Sequence, residues 1–251
     1  MVEKDGGERM KRILLMILRN LWHVPGMLVR LFKMAKHPEK YTEEERYGLI
    51  KEIDDYAMRS GNVDLQIYGK ENLPEEKGYI LFPNHQGLFD VLVLLRFMKD
   101  PTSVVLKKEL VNIPLLKQII ICLGAIPLDR SDARQGMKVI LQVAEEVKAG
   151  KNFIIFAEGT RSRDGNKLLD FKGGSFKSAQ KARCPIVPVA LIDSYKAFDT
   201  GSIRSVKVQA HILEPICYEQ YQGMKTTEIA DMVKERIAAR IAECEGAQVM
   251  E

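Results

Sequence analysis

With 251 residues, 46% of them hydrophobic and 29% charged, the chain can bury one full core plus a short appendage, which excludes a disordered or fibrous protein. A net charge of +4 and a pI near 8.7 suit an anionic substrate or an anionic membrane surface, while the sparse aromatics carry no RNA-binding signature, so nucleic acid is not an expected partner. The four cysteines, Cys122, Cys184, Cys217 and Cys244, lie far apart with no C-x-x-C, so neither a disulfide framework nor a zinc site is suggested and a reducing cytosol is the default.

Residues 1–40 read as an appendage to a domain spanning residues 41–251. The uninterrupted apolar run from Ile13 to Leu18 is too short to span a bilayer, and Arg19, His23 and Arg30 break any longer window. No small-residue cleavage site follows, so secretion is not expected. On a helical wheel Ile13, Leu14, Ile17, Leu18 and Leu21 gather opposite Arg12, Arg19 and His23. Pro25-Gly26 interrupts this helix, and a second one sets Leu28, Leu31, Phe32 and Ala35 against Arg30, Lys33 and Lys36. Two basic amphipathic helices, with Trp22 as an interfacial anchor, predict a peripheral or monotopic segment lying in the headgroup layer, on the cytoplasmic face of the cell membrane. The competing reading is a hairpin packed on the protein's own core, or an oligomer contact.

Thr42 with Glu45 forms a capping box, opening a helix that carries Leu49, Ile50, Ile53 and Tyr56 toward the core and ends at Gly61. Val63, Leu65 and Ile67 alternate with polar residues as a half-buried strand. Tyr79-Ile80-Leu81-Phe82 is a short apolar strand that Pro83 stops, and the chain continues Asn84-His85-Gln86-Gly87-Leu88-Phe89-Asp90. On a regular helix, five residues at roughly 100° each would put His85 and Asp90 about 140° apart. They meet only across a turn, which Gly87 eases; the carboxylate then fixes one ring nitrogen and leaves the other as a base. Alone, this spacing is weak evidence and more often marks a surface histidine beside a helix-capping aspartate.

Asp90 begins a helix closed by Pro101, Ser103 to Leu106 is the next strand, and Leu110 to Leu123 reads as a mostly apolar helix with Pro114 in its first turns. Ala125 to Leu128 is extended, and Ser131-Asp132 caps a helix presenting Val139, Ile140, Val143, Ala144 and Val147. Phe153 to Phe156 and Ile186 to Leu191 are buried strands; Val206 to Leu213 alternates, nearer an edge; Thr226 to Glu243 is a closing amphipathic helix. Strands separated by helices predict an α/β fold, a mostly parallel central sheet flanked by helices.

Two further loops follow apolar runs. Glu158-Gly159-Thr160-Arg161-Ser162 combines a glycine, which lets backbone approach an anion, with an arginine suited to gripping phosphate, although the order is not that of a Walker loop. Gly124 to Arg130 ends in Asp129-Arg130; Arg130 is either a second anion ligand or a local partner of Asp129. Lys107-Lys108-Glu109 leaves the following strand at the same sheet edge, while Cys184 to Val189 reads as core or as the wall of an acyl groove.

The four segments around His85, Arg130, Glu158 and Pro188, in that order, resemble the ordered blocks of the glycerolipid acyltransferase family over roughly residues 69–191; Phe171-Lys172-Gly173-Gly174 is also similar to these enzymes. The resemblance implies acyl transfer from acyl-CoA or acyl carrier protein to the sn-2 hydroxyl of lysophosphatidate, giving phosphatidate, with no cofactor beyond the thioester co-substrate. It implies His85 as general base, Asp90 as its orienting partner, Lys107 and Arg161 on the phosphate, and Arg130, Glu158, Gly159 and Thr160 shaping that site. Pro127 stands where many relatives carry an aromatic or aliphatic residue. No Gly-x-Ser-x-Gly elbow supports an acyl-enzyme, so direct transfer is expected, with backbone N–H groups near the first block stabilising the oxyanion. The rival readings are a same-fold acyltransferase for glycerol 3-phosphate or another lysolipid, a non-catalytic lipid-surface protein, and a metal-dependent phosphoesterase using His85, Asp90 and Glu158.

Overall fold

A computed structural model of the protein describes residues 4–249. In chain order its elements are α1 (Lys4–Arg19), α2 (Val24–Lys36), α3 (Glu43–Ser60), β1 (Val63–Tyr68), β2 (Ile80–Pro83), α4 (Phe89–Phe97), β3 (Thr102–Lys107), α5 (Leu116–Cys122) and β4 (Ile126–Leu128). There follow α6 (Ala133–Lys148), β5 (Asn152–Ile154), α7 (Lys177–Ala182), β6 (Ile186–Ile192), α8 (Lys196–Asp199), β7 (Val206–Ile212), α9 (Tyr218–Tyr221) and α10 (Thr226–Val249).

Among the described residues seven strands form one sheet, ordered β1-β7-β6-β2-β5-β3-β4. The five from β6 to β4 run parallel, and β7 returns antiparallel to β6 with β1 parallel to β7. Because side chains alternate along a strand, Leu81 enters the core beneath α1 to α5 while Ile80 and Phe82 enter the one beneath α6, α7 and α10. Helices thus cover both faces, as expected for a largely parallel sheet. The carboxyl ends of β2, β3, β4 and β5 converge on one edge, where such sheets place ligands.

Most local signals hold. Thr42 Oγ1 accepts from Glu45 N at 3.2 Å and Glu45 Oε2 accepts from Thr42 N at 2.8 Å, so the capping box opens α3. Asp132 caps α6 through the amides of Arg134 and Gln135. Pro83 does not end the pairing before itself; it is the last residue of β2, opposite Val189. The single helix expected over residues 110–123 is broken. Lys108–Asn112 is a 3-10 turn, Ile113 is extended as a residue before proline must be, and Leu115 takes φ +70° before α5 begins. The strand expected to reach Phe156 ends at Ile154; Ile155 still donates its N–H to Leu81 O at 2.9 Å, and Phe156 beyond it stacks on His85.

The N-terminal segment keeps the two faces that the helical wheel separates; its residues 1–3 lie outside the described chain. Arg12, on the polar face, is 1% exposed. Its guanidinium donates to the carbonyls of Gly61, Asn62 (3.2 Å), Ser202 (2.5 Å) and Arg204 (2.9 Å). Arg19 donates to Ser60 O at 2.9 Å and Asn62 Oδ1 at 2.6 Å. The basic face therefore grips the protein, while Leu14, Ile17, Leu18, Leu21 and Trp22, the last 94% exposed, face outward. In α2, Leu31 and Ala35 turn inward with Met27, and Phe32 and Val29 turn out. Among the described residues no single helix is long and apolar enough to cross a membrane; α1 and α2 pass that test only as a pair, bent by 102°.

Candidate active site

β2 is fully buried between β5 and β6, and its exit loop is fastened to both neighbours. Asn84 extends the pairing with side-chain bonds, donating to Leu191 O at 3.0 Å and accepting from Leu191 N at 2.7 Å. The His85 backbone is held on both sides by the loop after β5: its N–H donates to Glu158 Oε1 at 2.7 Å, and its carbonyl accepts from Ser162 N at 2.8 Å. The ring stacks on Phe156 with centroids 4.0 Å apart.

The turn brings the expected pair together, with His85 Nδ1 2.7 Å from Asp90 Oδ2. Asp90, in the first turn of α4, is wholly buried, and Oδ2 also accepts the amides of Gln86 (2.6 Å) and Gly87 (2.9 Å). Only Nδ1–H can serve this bond, so the neutral tautomer leaves Nε2 as acceptor. The same geometry narrows one expectation: the Gln86 and Gly87 amides are committed to Asp90, so they are not the backbone donors for an oxyanion.

Glu158 is 2% exposed, and its second oxygen accepts Leu169 N at 3.0 Å. Burial pushes its carboxyl up to about 7, against the pull of the two amide bonds. It builds the loop instead of meeting an anion with its own charge. The neighbouring Gly159 takes φ +73°, and a Cβ there would sit 3.1 Å from Lys172 Nζ; glycine leaves this cation room. Beside it opens a pocket of about 280 Å³, walled by Val105, Leu128, Val139, Val143, Ile155 and Phe156, with Arg130, Gly159 and Lys172 also lining it. The Phe156 ring is shared between this pocket and His85.

Of the two readings of Asp129-Arg130, the local pair is not formed. Asp129 binds Lys108 and accepts Ser131 N and Oγ, which hold its carboxyl down at about 2. Arg130 is left on the pocket. Lys107 lies half-exposed at the end of β3, 3.3 Å from Glu109 Oε1. Thr160 is exposed and Arg161 half-buried on the loop after β5. The sequence reading missed Lys172, seen only as part of a familiar tetrapeptide, and the supporting residues Gln86, Asn166 and Ser194, which carry no local signal. Among the described residues no three His, Cys, Asp or Glu side chains gather as metal ligands.

A family model described as Acyltransferase matches residues 64–192, which contain the His85 turn and the loops holding Arg130 and Glu158. This chain belongs to the acyltransferase family. The 1-acyl-sn-glycerol-3-phosphate acyltransferase of Saccharomyces cerevisiae is 32% identical to this chain over 190 residues, covering 72% of it and 61% of that protein. The enzyme of that name from Escherichia coli is 31% identical, covering 88% and 78%. For the chloroplastic LPAT1 of Arabidopsis thaliana the identity is 31% and the shares are 69% and 48%, so this chain spans about half to three fifths of the length of several curated relatives it matches. The solved 1-acyl-sn-glycerophosphate (LPA) acyltransferase of Thermotoga maritima superposes with a TM-score of 0.71 at 27% identity, over 95% of this chain and 98% of that one.

Proposed function

We propose that this acyltransferase moves a fatty acyl group from a thioester, on coenzyme A or acyl carrier protein, to the sn-2 hydroxyl of 1-acyl-sn-glycerol 3-phosphate, giving phosphatidate. The observation that carries the reading is the His85 ring, tied through Nδ1 to a buried carboxylate beside an apolar pocket lined by two cations. The names of the relatives point to the same acceptor.

An alcohol is a poor nucleophile at neutral pH, so its proton must leave as its oxygen attacks. His85 Nε2 takes that proton, the oxygen adds to the thioester carbonyl, and Asp90 steadies the imidazolium. Collapse of the tetrahedral adduct breaks the carbon–sulfur bond, and the proton returns from His85 to the leaving thiolate. Arg130, Lys172, Lys107 and Arg161 supply positive charge for the acceptor's phosphate, while the apolar pocket suits an acyl chain. The exposed apolar face of α1 and α2 docks the enzyme peripherally on the cytoplasmic face of an anionic membrane.

The test is transfer from labelled acyl-CoA and acyl carrier protein to lysophosphatidate in detergent micelles, with glycerol 3-phosphate in parallel. His85→Ala is expected to lower kcat by about 10³-fold, within the range of a lost general base. Transfer to glycerol 3-phosphate alone would move the acceptor assignment, and a His85→Ala variant of full activity would overturn the mechanism.

A further inference from the structure

The two oxygens of Asp90 are addressed from different parts of the chain. Oδ2 receives His85 Nδ1 and the Gln86 and Gly87 amides, all from its own turn. Oδ1 receives the hydroxyl of Ser194, two residues beyond β6 and 104 positions away in sequence. Both Ser194 and Asp90 are wholly buried.

Two backbone amides determine which way every donor in this cluster points. Asp193 N lies 2.8 Å from the Asn166 side-chain oxygen, which must therefore be the acceptor Oδ1. Gln86 presents its amide nitrogen to that same oxygen at 2.8 Å, so Gln86 Oε1 faces the other way and accepts Ser194 N at 2.9 Å. The Ser194 hydroxyl has one proton and two acceptors within reach, Asp90 Oδ1 and Gln86 Oε1 (2.9 Å). Gln86 Oε1 already takes a backbone N–H, and an ionised carboxylate is the stronger acceptor. The proton goes to Asp90.

We propose that Ser194 is a positioning residue for acyl transfer: its hydroxyl holds the Asp90 carboxylate in the orientation that makes His85 a base. It touches no substrate, and the inference rests on the reading of His85 given above. Without the hydroxyl, Oδ1 is a buried acceptor with its donor removed. The hydroxyl also stabilises the carboxylate most while His85 is neutral, when no imidazolium offsets the negative charge. Removing it therefore raises the proton affinity of the His85–Asp90 pair as a unit.

The experiment compares the full chain with Ser194→Ala and the near-isosteric weak donor Ser194→Cys, measuring lysophosphatidate acylation in micelles across pH. Ser194→Ala is expected to lose about 10- to 100-fold in kcat, as outer partners of a catalytic group typically do, with both KM values within about twofold. The acidic limb of its kcat/KM profile is expected to move up by about half a pH unit or more, with Ser194→Cys in between. A limb that stays in place in whichever variant folds, or a kcat within about threefold of wild type, overturns the proposal. His85→Ala, run alongside, separates the two failures. If His85→Ala is inactive while Ser194→Ala is normal, only the role of Ser194 falls; if His85→Ala is active, the base reading falls with it.

Discussion

Asp90 accepts bonds from four donors while shielded from water, so its form as an acceptor matters more than its charge alone. An amide in its place would turn one N–H₂ toward groups that are themselves donors. Asp90→Asn is therefore expected to cost stability, about 2–4 kcal/mol by denaturant titration, and to abolish most acyl transfer by losing the His85 tautomer. Glu158 predicts a different phenotype. Its oxygens each bind a backbone amide, one of them from His85 itself. Glu158→Gln is expected to lower kcat about tenfold or more through a displaced His85 while leaving the KM for the phosphate-bearing acceptor nearly unchanged. A selective rise in that KM would instead show that Glu158 acts chiefly through the phosphate site. The sequence made His85 and Asp90 legible because both lie in one turn with a glycine between them. Ser194 and Asn166 were not legible, because a polar residue in a loop has no sequence mark until folding brings it to a buried acceptor.

At the scale of elements, α1 shows a periodicity whose two faces were legible while the partner of its basic face was not. The wheel separates basic and apolar faces, and the structure keeps that separation while turning the basic face inward onto the end of α3 and the loop before β7. Which face meets the protein depends on carbonyls at Gly61, Asn62, Ser202 and Arg204, distant in sequence. Arg12→Met should destabilise the fold by about 2–3 kcal/mol, since it strands buried carbonyls, a loss that chemical denaturation would measure. Replacing Leu14, Leu18 and Trp22 together with serine should barely alter stability, because these side chains are exposed. It should weaken sedimentation with anionic vesicles by about 100-fold or more, given about 1.5 kcal/mol or more per buried apolar side chain. Undiminished vesicle binding would remove the membrane-docking proposal. The break at Ile113-Pro114-Leu115 has the opposite lesson: proline chemistry was visible in the sequence, and the apolar run around it was weighted too heavily.

For the molecule as a whole, one buried acid inside the helical layer shapes stability against pH. Asp54 of α3 is almost fully buried, its two oxygens have no hydrogen-bond partner among the described residues, and burial pushes its carboxyl up to about 7 despite Lys51 and Arg96 nearby. Between about pH 4 and 7 the unfolded chain has released this proton while the folded protein holds it, so stability falls as pH rises through that window. Below it the penalty is absent, and above about 7 it is complete. Asp54→Asn is expected to gain about 1–3 kcal/mol over wild type at pH 8 and almost nothing below pH 4, in paired urea titrations. A gain independent of pH would reject the titration of Asp54 as its source.

Local chemistry alone determined the elements of this protein: the capping box of α3, the alternation of β1, the apolar β2 and β6, and the ordered loops carrying His85, Arg130 and Glu158. Those signals are short-ranged, written in side-chain period, turn residues and caps, and a chain displays them before it folds. Tertiary structure decided what depends on contacts between distant segments: that Arg12 points inward, that Glu158 clamps the His85 backbone, that Lys172 meets Gly159, and that Ser194 reaches Asp90. For Arg12, Glu158 and Ser194 a polar group is satisfied by a partner distant in sequence, and that partner is selected by burial, which no stretch of sequence contains by itself.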